Sequence, residues 1–263
     1  MISTDFVEVD GVRLEYQRIP AVQPGLAPIV LLHEGLGSIA MWRDFPARVA
    51  AATGAETITY SRRGYGRSDR LAGPRAVDYM HGEGREVLPA LLKALGVAAP
   101  VLVGHSDGGS IALIYAGSGH DAAGLVLMAP HVFVEDITVT SIAAAKETYR
   151  TTDLGQRLGR YHDDPDPVFW GWNDIWLHPD FRHWNIESFV PAVRAPLLVI
   201  QGADDEYGTP AQLAAIARLA TVPCETVLLP GCRHSPHRDQ PERTLGLIAG
   251  FVRRPGAKPA EIR

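Results

Sequence analysis

The chain has 263 residues, 46% of them hydrophobic and 21% charged, with a formal net charge of −5. That composition supplies the core of a large α/β domain, and it lacks the clustered Lys and Arg that neutralise phosphates, so no nucleic-acid partner is expected. Asp5, Glu8 and Asp10 stand where a secretory signal would need an apolar run, and no segment approaches the roughly 18 apolar residues of a membrane span. A soluble cytoplasmic protein, with no membrane partner and with a homodimer left open, is the expectation.

The first pattern is a hairpin. Phe6–Val9 and Val12–Arg18 alternate in character and are joined by Asp10-Gly11, a strong turn signal. After a Pro/Gly loop, Ile29–His33 is continuously apolar and reads as a strand buried on both faces. Helical spacing over Ala40–Ala52 is followed by a strand at Glu56–Tyr60, a helix over Gly82–Leu95 and a short strand at Val101–Gly104. Ser106–Ala116 is apolar at helical spacing, and Gly124–Met128 is another buried strand. Strands alternating with helices predict right-handed crossovers and a mostly parallel central sheet flanked by helices.

From His131 to Ala195 this rhythm breaks. The segment holds Trp170, Trp172, Trp176 and Trp184, carries Pro165, Pro167 and Pro179, and has no buried-strand run. It reads as a helical cap insertion over the sheet, dividing a core domain into residues 1–130 and 196–263. The α/β rhythm resumes with a strand at Pro196–Gly202, a helix over Pro210–Leu219, a strand at Glu225–Leu229 and a helix over Pro241–Arg253. The tail Pro255–Arg263 reads as frayed. Cys224 and Cys232 match no zinc spacing and read as reduced, structural thiols.

The decisive segment is Val101–Gly109, in which Gly104-His105-Ser106-Asp107-Gly108 lies between a buried strand and an apolar helix. In that context Gly-x-Ser-x-Gly is a tight turn that lifts the serine hydroxyl above the sheet. The following helix start offers free N–H groups to a developing negative charge. A serine needs a base to take its proton, and the base needs an acid to fix its tautomer; in this architecture they follow in the order serine, acid, histidine. Asp204 and Asp205 both sit just past a strand end, and His234 lies on the loop after the last strand, with His237 as competitor.

On these motifs the chain resembles the α/β-hydrolase superfamily, in its cap-bearing esterase and C–C hydrolase branch. Gly202-Ala203-Asp204-Asp205 resembles that branch's Gly-x-x-Asp, which favours Asp205. His234–Glu242 resembles its Gly-His-Ser-Pro-x-x-Glu-x-Pro-Glu ending, which favours His234, with Arg233 in place of the usual glycine. Ser61–Ser68 resembles its Asp-x-Arg-Gly-x-Gly-x-Ser turn, with Ser61 in place of the usual Asp. The resemblance implies an α/β-hydrolase fold and a serine hydrolase of the carboxylic-ester type, acting on a small molecule without metal or organic cofactor. Ser106 would be the nucleophile, His234 the base and Asp205 the orienting acid.

The oxyanion donors implied are the N–H of Asp107 and one from His33-Glu34-Gly35-Leu36-Gly37, Gly35 being favoured over Leu36. Glu34 and Asp107 flank the expected site. Each either serves local structure, Glu34 pairing with an arginine such as Arg62, or binds an amino group or hydroxyl of the substrate. His131 and the insertion's tryptophans, Trp170 among them, are candidate substrate contacts. Two alternatives stand beside ester hydrolysis. One is C–C hydrolysis of an anionic ring-cleavage product, which an arginine facing the cavity would favour; the other is a hydrolase-like ligand sensor.

Overall fold

A computed structural model describes residues 4–254, so the tail expected to fray lies outside the described residues. The hairpin forms as read. Strands β1 (Thr4–Val9) and β2 (Val12–Ile19) pair antiparallel, with Val9 opposite Val12 and both turn residues, Asp10 and Gly11, at positive φ. Both central residues of a type I′ turn require that conformation.

Strands β3 (Ile29–Leu32), β4 (Thr57–Tyr60), β5 (Val101–His105), β6 (Gly124–Met128) and β7 (Leu197–Gly202) are buried at every residue, as their apolar runs demand. Strand β8 (Cys224–Leu229) closes one edge with an alternating, half-exposed pattern. The eight-stranded sheet has the order β1-β2-β4-β3-β5-β6-β7-β8, antiparallel only where β2 meets β1 and β4. Its two faces carry separate cores because successive side chains alternate. Leu197 and Val199 join one core and Leu198 and Ile200 the other.

The expected helix over 40–52 is two pieces. A 3-10 turn at Ala40–Trp42 ends where Arg43 takes φ 55, and α1 (Phe45–Thr53) starts afresh with Pro46 in its first turn, where a proline costs no hydrogen bond. The next helix starts earlier than its spacing suggests. Helix α2 (Tyr79–Gly82) runs through a π-turn at Glu83–Val87 into α3 (Leu88–Ala94). Helix α4 (Asp107–Gly117) follows β5 directly.

Between β6 and β7 the chain forms α5 (Asp136–Thr151), α6 (Leu154–Leu158) and α7 (Pro165–Trp176), then two 3-10 turns at Pro179–His183 and Glu187–Ala192. A single β-bridge, Phe133 to Asn185, ties the two ends of this stretch, and Asn173 donates to the Ile142 carbonyl at 2.8 Å to join α7 to α5. Helices α8 (Ala211–Leu219), α9 (Pro236–Asp239) and α10 (Pro241–Val252) are the last elements among the described residues. Among the described residues no helix is long and apolar enough to cross a membrane.

Candidate active site

Ser106 joins β5 to α4 with φ 52 and ψ −117, a conformation costly for a residue with a side chain. The flanking glycines explain how the turn closes. A Cβ on Gly104 would stand 2.3 Å from the Gly108 carbonyl oxygen, and one on Gly108 only 2.1 Å from that of Leu32. Any larger residue at either position would open the turn and withdraw the hydroxyl.

Asp205 follows β7 and His234 follows β8, so both reach the same end of the sheet as Ser106. His234 Nε2 lies 3.0 Å from Ser106 Oγ, and its Nδ1 lies 2.8 Å from Asp205 Oδ1. Burial pushes the Asp205 carboxyl up, but His234 and the Tyr207 N–H outweigh it and hold it below its ordinary range. The Tyr207 N–H donates to Oδ1 at 2.8 Å and Gln201 Nε2 to Oδ2 at 3.2 Å. Such an arrangement fixes an imidazole with one nitrogen on the hydroxyl and the other on a carboxylate. The structure brings Ser106, Asp205 and His234 together. Its rival His237 is buried instead against Trp42, Phe45 and His105.

The loop after β3 lies over Ser106. Gly35 and Leu36 both line the cavity with the serine, and the N–H groups of Gly35, Leu36 and Asp107 have no protein acceptor among the described residues. Glycine at 35 has a packing reason, since a Cβ there would lie 2.3 Å from Cδ1 of Trp172.

The two acids beside the site separate. Asp107 is buried, faces Arg62 at 3.7 Å and accepts the Tyr79 hydroxyl at 2.6 Å, so its carboxylate serves the turn and does not line the cavity. Glu34 does line the cavity, but its partner is not Arg62. Its oxygens lie 3.5 Å from Arg238 and 3.4 Å from His105. Burial alone would raise its carboxyl, yet His105 and Arg238 keep it well below the ordinary range. Arg62 instead donates to the carbonyls of His33 and Glu34. His33 accepts the Arg62 N–H at Nε2, and burial and the Arg62 charge keep it neutral.

The cavity is about 190 Å³, with Met41, Thr138, Ile142, Trp172, Trp176 and Tyr207 completing its wall. His131 lines it, buried, with its ring edge-on to Trp176 at 5.1 Å and 5.7 Å from that of His234. Trp170 does not line it. Trp172 and Trp176 lie one turn apart on one face of α7, whereas Trp170 projects from another, beneath Lys146 and Arg150, and borders a separate hollow.

Both departures from the familiar motifs have local compensation. Ser61 accepts the Ile39 N–H at 3.0 Å and donates to Glu15 at 2.8 Å, so Glu15 brings the carboxylate that position 61 lacks. Arg233 is not at positive φ and pairs with Glu206 at 3.1 Å, so no glycine is needed before His234. Among the described residues no cluster of three or more His, Cys, Asp or Glu is placed to hold a metal.

A family model for the alpha/beta hydrolase family matches residues 29–247. Three solved structures are similar in fold. Proline iminopeptidase from Mycobacterium smegmatis is 20% identical with a TM-score of 0.76, covering 95% of this chain and 97% of that one. The enol-lactonase from Burkholderia xenovorans LB400 is 19% identical with a TM-score of 0.75, covering 95% and 100%. A serine hydrolase involved in carbazole degradation is 19% identical with a TM-score of 0.72, covering 96% and 99%. At such identities these neighbours speak for architecture alone; the sequence match is what makes this chain a member of the alpha/beta hydrolase family.

Proposed function

We propose that this protein is a serine hydrolase that cleaves a carboxylic ester, thioester or small amide through an acyl-enzyme on Ser106. The observation that carries the reading is the unbroken row from Ser106 Oγ through His234 to Asp205, at 3.0 and 2.8 Å. In this scheme Ser106 Oγ bonds to the substrate carbonyl carbon as its proton passes to His234 Nε2. The N–H groups of Asp107 and Gly35 receive the oxyanion, and Asp205 stabilises the imidazolium. The carbonyl re-forms as the bond to the leaving group breaks, and His234 returns the proton to that group. Water then repeats the sequence on the acyl-serine and releases the acid, with no cofactor in either half.

Residues 131–195 act as the cap in this reading. They supply Thr138, Ile142, Trp172 and Trp176 to the wall above Ser106, and exclude water from the reacting carbonyl. Glu34 and Arg238 form a charged rim of nearly balanced sign.

Arg238 on the cavity wall favours one second reading, C–C hydrolysis of an anionic ring-cleavage product, although Glu34 offsets its charge. A panel of p-nitrophenyl esters graded by chain length, run beside a vinylogous diketone acid, separates the two. Many turnovers on the esters, lost on the order of 10⁶-fold in Ser106→Ala, are expected. Turnover of the diketone acid alone would transfer the assignment to the second reading. A single stoichiometric event followed by arrest would point to a sensor.

A further inference from the structure

His131 is buried on the cavity wall beside the catalytic candidates, yet none of the proposed steps uses it. Its backbone is clamped at both ends by one side chain. The Ser110 hydroxyl accepts the His131 N–H at 3.2 Å and donates to its carbonyl at 2.6 Å, so the backbone that carries the ring is held independently of what the ring itself bonds. The two ring nitrogens differ. Nδ1 is sealed in protein with no hydrogen-bond partner, which leaves Nε2 as the nitrogen with surface open to the cavity.

A neutral imidazole carries one proton, and a buried N–H without a partner is rarer in proteins than an under-satisfied acceptor. The proton therefore belongs on Nε2, facing the substrate. Burial and the adjacent His234 push the ring's pKa down to about 3 against the opposing pull of Asp205, with His105 adding to the depression, so the donor stays uncharged. Trp176 lies edge-on to the ring at 5.1 Å, Ile142 and Trp172 extend the apolar part of the wall, and the His234 ring stands 5.7 Å away.

We propose that His131 sets the substrate class of this cavity: its ring presents one neutral N–H donor, and the substrate carries an uncharged oxygen acceptor, a keto, ester or amide carbonyl, a few bonds from the scissile carbonyl. This rests on the serine hydrolase reading above and deepens it. An apolar substrate of equal size leaves that N–H unpaired in a water-poor cavity, which is the kind of mismatch a pocket rejects strongly. A carboxylate at the same point gains no countercharge from a neutral ring.

The test uses two pairs of esters in which a ketone replaces a methylene. In p-nitrophenyl levulinate against p-nitrophenyl valerate the ketone is in the acyl part, and in acetoxyacetone against propyl acetate it is in the alcohol part. The ratio of kcat/KM within each pair is measured for the wild type, His131→Gln and His131→Phe, with His131→Leu as a second donor-free variant should the phenylalanine fail to fold. The within-pair ratio for at least one pair is expected to fall about fivefold or more in the donor-free variants. His131→Gln, which retains an N–H, should keep part of it. A residue that merely packs would move both members of a pair together. Unchanged ratios in both pairs, with valerate still turned over, overturn the assignment to His131 alone. Absence of turnover on every ester in the wild type would instead overturn the hydrolase reading.

Discussion

Arg62 and Asp107 form a buried ion pair, 3.7 Å apart, at the base of the turn that carries Ser106. The same guanidinium reaches the carbonyls of His33 and Glu34, so a single side chain ties the loop bearing Gly35 to the helix start bearing Asp107. Those are the two segments from which the proposed oxyanion donors come. Arg62→Met leaves the buried Asp107 side chain without its countercharge, a loss of about 3–5 kcal/mol in stability. Its kcat should fall at least about tenfold with little change in KM, because the donors act on the transition state. Asp107→Asn keeps an acceptor for Tyr79 and should be milder on both counts. Urea unfolding and steady-state kinetics on the two variants test this, and an Arg62→Met enzyme with native stability and kcat would contradict it.

Gly35 and Trp172 make a second coupling, between the loop after β3 and α7. A Cβ at 35 would stand 2.3 Å from the indole. Gly35→Ala should therefore displace either the loop or the tryptophan and lower kcat about tenfold or more. Adding Trp172→Ala should restore part of that loss, a non-additivity that a double-mutant cycle measures directly. Strictly additive losses would mean that the two residues do not press on one another.

The cavity limits substrate size. At about 190 Å³ it exceeds only slightly the roughly 150 Å³ engineered cavity that accepts a benzene molecule. Among p-nitrophenyl esters, activity should peak at short acyl chains and fall beyond about six carbons. Ile142→Ala removes three carbons from the wall and should shift the optimum to longer chains. An optimum that stays put would place the acyl group elsewhere.

Stability should fall in mild acid. His33, His131, His162 and His237 are all buried, and burial is the main cause that lowers each below its usual pKa of 6.5. Below about pH 6.5 each takes up a proton when the chain unfolds but resists it when folded, so the unfolded state binds more protons. The stability present above that pH is progressively lost as pH falls towards the folded values, by up to about 1.4 kcal/mol per pH unit for each histidine. Asp205 acts in a lower window, since its carboxyl is held below the usual 3.8 and its contribution is lost only as pH falls through that lowered value. Melting temperatures measured from pH 7 to pH 5 should decline; a flat profile would show that these rings find partners on protonation.

Most of the architecture was legible because β3, β5, β6 and β7 announce themselves as apolar runs, and Ser106 and Asp205 each follow one, whereas His234 follows the half-exposed β8. Aromatic content alone, which nominates Trp170, does not show helix phase: Trp172 and Trp176 share the face of α7 that lines the cavity, and Trp170 does not. What one chain does not display is which loops come to rest side by side. Arg62 and Asp107 lie 45 positions apart and Glu34 and Arg238 lie 204 apart, so both pairings depend on sheet order. Glu15 taking the place of a missing carboxylate at Ser61 is likewise visible only once β2 lies beside β4.

Strand β8 occupies the sheet's edge, and the loop that leaves it bears His234. Turnover by this triad therefore requires β8 docked on β7 in register. Long-range parallel pairing is slow to form. During refolding, helical signal should return well ahead of hydrolysis, which makes the enzyme its own reporter for the pairing of β8 with β7.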